Sequence, residues 1–139
     1  IELYRDDGMQ WLTLAPGELV VAVTVPLDDA WRSAYEKVRV RGAIDFPLAG
    51  VAVALRREGG LLTGLRIALT GVSSQPLAID GLNALFGKPL DAAALDAISE
   101  QADLANRSMK TTLVDVLYRR GVSLVLAKRL TQRLWDAVA

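Results

Sequence analysis

With 139 residues, 52% of them hydrophobic and 23% charged, the chain is long enough to bury one core and too short for two secure ones. Sixteen basic and sixteen acidic residues cancel to a formal charge of +0, which removes the electrostatic footprint of a protein that grips nucleic acid or an anionic membrane surface. The sequence holds neither cysteine nor histidine, which excludes thiolate nucleophiles, Ser-His-Asp and Cys-His centres and the usual zinc and iron–sulfur ligand sets.

Residues 1–16 read as an irregular lead-in, punctuated by the turn signals Asp6-Asp7-Gly8 and Ala15-Pro16-Gly17. The start, Ile1-Glu2-Leu3-Tyr4-Arg5, has the character of neither a signal peptide nor an initiator, so a segment of a longer chain is expected. Residues 19–25, Leu-Val-Val-Ala-Val-Thr-Val, are β-branched and closed by Pro26, which predicts a first strand. Residues 34–41 alternate, with Ala34, Glu36, Val38 and Val40 on one side and Tyr35, Lys37, Arg39 and Arg41 on the other, which predicts a second strand carrying a basic stripe.

A third strand is predicted over residues 48–55, where Gly50, Ala52 and Ala54 share a face narrow enough for helices to cross closely. Gly59-Gly60 then supplies a hairpin turn into a fourth strand over residues 61–70. After Gly71 the pattern changes to helical. Pro76 opens a predicted helix over residues 77–86 that Gly87 and Pro89 end. Asp91 caps a second helix over residues 92–106, with Leu95, Ile98, Ala102 and Ala105 on its apolar side. A third is predicted over residues 111–138, with Leu113, Val116, Leu117, Leu124, Leu130 and Leu134 inward. Gly121 sits inside it at a cost of about 1 kcal/mol relative to alanine, which predicts a kink or a close contact. Strands followed by helices give an α+β fold: a two-layer sandwich in which an antiparallel sheet of three to four strands is followed by three helices covering one face.

The chemistry the residues allow is thin. Tyr35, Lys37, Arg39 and Arg41 could face an anionic cofactor or an acidic neighbouring domain, or could simply be a solvated sheet face. The loop Gly42-Ala43-Ile44-Asp45-Phe46-Pro47 is either a mounting for binding residues or a connection in which Asp45 shapes the turn and Phe46 plugs the sheet edge. Gly59-Gly60 is an isolated pair and lacks the Gly-rich, helix-opening context of a phosphate cradle. Neither Asp6-Asp7 nor Asp28-Asp29 has further oxygen ligands at defined spacing, so no metal site is expected. Nor is a catalytic residue expected. An enzyme with a lysine centre would need a concave site around Lys37 with a strongly shifted pKa.

Pro16-Gly17-Glu18-Leu19-Val20, Val25-Pro26, Ala34-Tyr35-Glu36-Lys37 with Arg41, and Val51-Ala52-Val53-Ala54 stand in an order and spacing with a counterpart. The chain resembles the C-terminal domain of the FAD-binding subunit of molybdenum hydroxylases, the group that includes carbon monoxide dehydrogenase and xanthine dehydrogenase. Gly71-Val72 before Pro76, and the late Tyr118-Arg119, fall where that domain has matching features. Arg41-Gly42-Ala43-Ile44-Asp45-Phe46-Pro47 and Leu3-Tyr4-Arg5-Asp6-Asp7-Gly8-Met9 are most similar to the flavoprotein subunit of 4-hydroxybenzoyl-CoA reductase.

The resemblance implies that residues 1–16 lead in from an N-terminal FAD-binding domain and that residues 17–139 form a C-terminal domain closing one side of the flavin site. It implies FAD in the full-length subunit with little held by this part alone, and a molybdenum cofactor and iron–sulfur clusters in partner subunits. By the same resemblance Val20, Glu36 and Lys37 approach the flavin. Lys37 is the expected cation, although the basic position varies by one in the family and Glu36 occupies the alternative slot. Neither nucleic acid nor membrane is expected as a partner, the compartment expected is the cytoplasm, and the part alone could self-associate. The rival function is a free-standing interaction module that dimerises through an open sheet face or the last helix, without a redox role.

Overall fold

The computed structural model describes residues 3–42 and 44–137. Four strands, β1 (Trp31–Val38), β2 (Ala49–Glu58), β3 (Leu61–Thr70) and β4 (Leu77–Ala78), pair antiparallel in sequence order. Two helices follow, α1 (Ala92–Ala105) and α2 (Val116–Ala137), and both lie on the same face of the sheet. The expected α+β two-layer sandwich is therefore present, with two α-helices rather than three.

The β2–β3 hairpin is its centre. Gly59 and Gly60 both take positive φ, 56° and 79°, which a residue with a Cβ adopts at a cost. Val51, Val53, Leu55, Leu65, Ile67 and Leu69 point from these two strands into the core, where Ile98 and Ala102 of α1 and Leu126, Leu130 and Leu134 of α2 meet them. Gly50, Ala52 and Ala54 point the other way. The sequence reading put helices over these small residues, but the large β-branched and leucine side chains between them carry the burial energy and so take the helix side.

Four further expectations are corrected. Residues 77–86 are not an α-helix: Leu77 and Ala78 pair with β3, Gly81 adopts φ 77°, and only one 3₁₀ turn, Leu82–Leu85, remains. A left-handed residue in mid-segment breaks the helical ladder that Pro76 seemed to open. The last helix starts at Val116, five residues later than expected, because residues 111–115 form side-chain-bonded turns in which Thr111 Oγ1 accepts from Val114 N (3.1 Å) and Asp115 Oδ1 accepts from Leu117 N (2.7 Å). Its expected end at Val138 lies outside the described residues. Leu113 and Leu117 are 74% and 76% exposed, whereas Arg119, Ser123 and Thr131 are buried. Helix α2 runs unbroken through Gly121, which stays exposed with nothing within 4 Å of where a Cβ would stand, so the expected close contact is missing within the chain.

Asp91 caps α1 as expected, its Oδ1 accepting from Ala94 N at 2.8 Å. The lead-in is more ordered than the sequence suggested: Tyr4 and Leu12 form an antiparallel bridge, and Ser74 Oγ donates to Asp6 Oδ1 at 2.8 Å, tying this small hairpin to the chain beyond β3. Residues 19–25, expected as a first strand, form no strand and have no ladder partner among the described residues.

Candidate functional site

Strand pairing fixes which side chains share the sheet face that the helices leave uncovered. Lys37 stands opposite Gly50, Tyr35 opposite Ala52 and Ser33 opposite Ala54; Ala52 in turn faces Ala68, and Ala54 faces Arg66. Ser33, Tyr35, Ala52, Ala54, Arg66 and Ala68 of this face line a shallow, mainly apolar trough of about 540 Å³.

Two aromatic side chains bound the floor, each lying over a glycine. The Tyr35 hydroxyl hydrogen-bonds Thr70 Oγ1 at 3.1 Å directly above Gly50, where an added Cβ would collide with both oxygens. The Trp31 ring passes over Gly64, whose hypothetical Cβ would stand 2.7 Å from the ring edge, and the Arg66 guanidinium stacks on that ring at 4.9 Å. Aromatic cover of strand glycines pins the register and restores the packing that a missing side chain removes. The face is thus flat and apolar in the middle, with cations at its margins.

The candidate residues separate. Lys37 is on the open face, exposed, with Nζ donating to the Asp45 carbonyl at 3.4 Å. Glu36 faces the helices, where Oε2 lies 3.5 Å from Arg133 of α2. The alternation that made both candidates sends them to opposite sides of the sheet. Val20 belongs to the unpaired segment before β1, 48% exposed, and among the described residues no hydrogen bond or ion pair links that segment to Lys37 or Glu36.

The basic stripe is shorter than expected because β1 ends at Val38. Arg39 and Arg41 lie in the following loop, where Arg41 is engaged by Asp45. That carboxylate accepts from the Arg41 guanidinium (3.2 Å), Arg41 N (3.0 Å) and Phe46 N (2.9 Å). The Arg41 side-chain bond first, and then its backbone bond, hold the Asp45 carboxyl below the usual carboxylate range. Asp45 therefore shapes the loop. Phe46 does not plug the sheet edge, one of the two readings of this loop: it is 91% exposed beside Ile44 at 98%, so the loop presents apolar side chains outward. Ala43 lies outside the described residues.

One buried group entered the sequence analysis only as part of the Tyr118-Arg119 resemblance, without a role. Arg119, 7% exposed, extends from the first turn of α2 and donates Nε to the Leu48 carbonyl (2.9 Å), Nη1 to that of Met109 and Nη2 to that of Gly71. Three connections end on one guanidinium: the loop entering β2, the exit from β3 and the link between the helices. A planar fork of five donors suits this task, whereas a lysine would reach one or two of the carbonyls. Nothing in the local pattern marks Arg119 off from the adjacent Arg120, which pairs with Asp103.

Among the described residues no group of three acidic, histidine or cysteine side chains could hold a metal ion, and no helix is long and apolar enough to cross a membrane. The arrangement offers a platform and a cation.

The domain family described as CO dehydrogenase flavoprotein C-terminal domain matches residues 33–134, from within β1 to the last turns of α2. The chain belongs to that family. Its relatives include the carbon monoxide dehydrogenase medium chain of Afipia carboxidovorans, 30% identical over 129 residues that make up 91% of this chain and 44% of the relative. The aldehyde oxidoreductase FAD-binding subunit PaoB of Escherichia coli is 32% identical over 119 residues, 86% of this chain and 35% of that subunit. Among solved structures, reconstituted CO dehydrogenase from Oligotropha carboxidovorans superposes with a TM-score of 0.86 at 28% identity, covering 97% of this chain and 47% of the matched one. The chain thus spans less than half the length of these relatives, and the family match leaves the lead-in and residues 19–25 outside it.

Proposed function

We propose that this chain is the C-terminal, non-catalytic part of the FAD subunit of a molybdenum-containing oxidoreductase, where it closes one side of the flavin site and docks the subunit for electron transfer. The observation that carries the reading is the open sheet face: a trough with an alanine floor, and Lys37 on the same side of β1, in a chain of the flavoprotein C-terminal family.

The residues fit one edge of FAD rather than all of it. A flat apolar surface with a cation at its rim suits a ring system carrying partial negative charge. The diphosphate needs several converging N–H donors, and no glycine-rich loop opens a helix here. Most cofactor contacts therefore come from an N-terminal FAD-binding domain, with residues 1–16 as its lead-in and residues 17–139 as the closing domain. Lys37 is the contact of first choice, since Glu36 is turned to Arg133. Iron–sulfur and molybdenum subunits are the partners in this reading, and the cytoplasm is its compartment. The narrower assignment, to a 4-hydroxybenzoyl-CoA reductase, rests on the segments Arg41–Pro47 and Leu3–Met9 and is tested by assaying that thioester in the assembled complex.

FAD titration of the chain alone, and of the chain mixed with the upstream part of its subunit, tests the reading by flavin fluorescence. Binding is expected only in the mixture, and Lys37→Ala is expected to weaken it about tenfold, the worth of one charge-assisted hydrogen bond. Stoichiometric binding by the chain alone would refute the reading. A second reading, an interaction module that dimerises through α2, is favoured by the exposure of Leu117, Tyr118 and Val125 along that helix. It requires a concentration-dependent dimer that replacing Leu117 by a charged residue abolishes.

A further inference from the structure

The sheet has two unequal edges. β4 closes one with two residues, whereas β1 leaves its outer side free over all eight of its residues. Its register against β2 runs from Trp31 opposite Arg56 to Val38 opposite Ala49 without a bulge, and the strand contains no proline. Among the described residues its other backbone bonds lie at its two ends, Trp31 N donating to Asp28 O (3.0 Å) and Leu48 N donating to Val38 O (2.8 Å). A long, regular edge of this kind presents a row of unpaired N–H and C=O groups that another strand completes. The side chains of β1 are also complementary to themselves about Ala34. Two copies of the strand, set antiparallel about a twofold axis through that residue, place Arg32 opposite Glu36 twice, Ser33 opposite Tyr35 and Trp31 opposite Lys37. Arg32 and Glu36 share the helix side, so each such pair meets on one face. Arg32 is exposed and has no ion-pair partner among the described residues; its Nη1 donates to the Asp29 and Trp31 carbonyls, at 2.7 and 3.3 Å.

We infer that the outer edge of β1 docks a second copy of this chain, the two strands pairing antiparallel about Ala34 so that two four-stranded sheets become one. Charge selects both the occupant and the register. An axis through Arg32 or Glu36 sets that residue against its own copy, like charge on like, and an axis through Ser33 or Tyr35 leaves both Arg32 and Glu36 opposite uncharged residues. The axis through Ala34 alone matches them. A strand of unrelated sequence needs no self-complementary template, whereas a twofold dimer does. The axis stands perpendicular to the sheet, so both helix layers fall on one side and both open faces on the other. Helix α2 lies mainly over β2, set back from the junction, and grooves of about 350 and 580 Å³ beside Val38 and Glu36 leave the helix side of the edge open. The pairing goes beyond the flavin reading and does not depend on it, because the trough and Lys37 stay on the open face.

Sedimentation velocity of the chain across a wide range of concentration, with hydrogen–deuterium exchange on the same samples, tests this. A dimer that grows in with concentration is expected, together with slowed exchange at the alternate β1 amides that do not bond β2. Arg32→Glu and Glu36→Arg each turn both unlike pairs into like ones and should each weaken the dimer about tenfold or more, while an equimolar mixture of the two variants restores both pairs and should associate as the wild type does. Thermal unfolding of each variant at low concentration establishes that it is folded. A chain that stays monomeric throughout would overturn the inference, as would a dimer that Arg32→Glu leaves intact, or a mixture that fails to associate although both variants fold. Leu117→Asp should leave this dimer in place; loss of the dimer in that variant would move the contact to α2 and overturn the pairing of edges. Protection of the same β1 amides that is independent of concentration in the full-length subunit would give the edge to another part of that subunit and overturn the inference too.

Discussion

Replacing Arg119 by methionine keeps much of the aliphatic stem and removes the guanidinium that serves Leu48, Gly71 and Met109. A hydrogen bond from a charged donor contributes about 1.5–3 kcal/mol net, and an orphaned buried carbonyl costs a comparable amount. Gly71 and Met109 are exposed residues whose carbonyls can turn to water, whereas Leu48 is half-buried at the start of β2. Using the lower value for each of the three bonds gives a loss of about 4.5 kcal/mol, a large fraction of the 5–15 kcal/mol typical of a whole domain. Urea unfolding of the wild type and Arg119→Met should show the midpoint fall with the slope unchanged. Arg119→Lys, able to keep one or two of the bonds, should fall between them. A loss below about 1 kcal/mol in the methionine variant would refute the reasoning, because it would mean that solvent replaces all three bonds at little cost.

Gly50→Ala drives a methyl group into the Tyr35 hydroxyl and Thr70 Oγ1 and should cost about 1–3 kcal/mol by overpacking; the cost should shrink in a Tyr35→Ala background if the ring is its cause, which a double-mutant cycle by thermal unfolding reads directly. The Asp103–Arg120 pair between α1 and α2 should make a small, acid-sensitive contribution. The Arg120 side-chain bond holds the Asp103 carboxyl below its ordinary range, so the contribution is complete above that range and is lost as pH falls through the lowered folded-state value. Both side chains are about two-fifths exposed, so solvent screening keeps the contribution of the pair small. Asp103→Asn should therefore differ from wild type near neutral pH and converge with it in strong acid, and a difference that persists there would assign the effect to packing.

The parts of the fold legible in the sequence are those whose signals are local. The hairpin needs Gly59-Gly60 between two alternating runs, and α1 needs Asp91 before an apolar stripe; each signal lies within a few residues of the structure it specifies. Residues 77–86 misled because Pro76 and Gly87 bracket them as a helix would be bracketed, while the deciding residue, Gly81, looks ordinary until its backbone is known to be left-handed. The inward side of α2 misled for a different reason. Ser123 Oγ donates to the Arg119 carbonyl at 3.0 Å and Thr131 Oγ1 to that of Ala127 at 2.7 Å, so hydroxyls satisfied within the helix can be buried while Leu113 and Leu117 remain outside. At the candidate site the alternation correctly put Lys37 on an open face. It could not show that β1 stops short of Arg39 and Arg41, or that the loop carboxylate of Asp45 takes up Arg41, because both depend on contacts made after the chain turns.

The opposed directions of Glu36 and Lys37 make the position of one cation a directional code. A lysine moved one residue toward the N-terminus would enter the helix layer opposite Arg133, where it would meet a like charge instead of a partner. A family member with its basic residue in that earlier slot must therefore have exchanged the sign of its α2 neighbour, shifted the strand by one residue, or placed its ligand against the other layer. Covariation between the sequence positions equivalent to 36, 37 and 133 would tell these routes apart, and would show from sequence alone which side of the sheet each member turns toward negative charge.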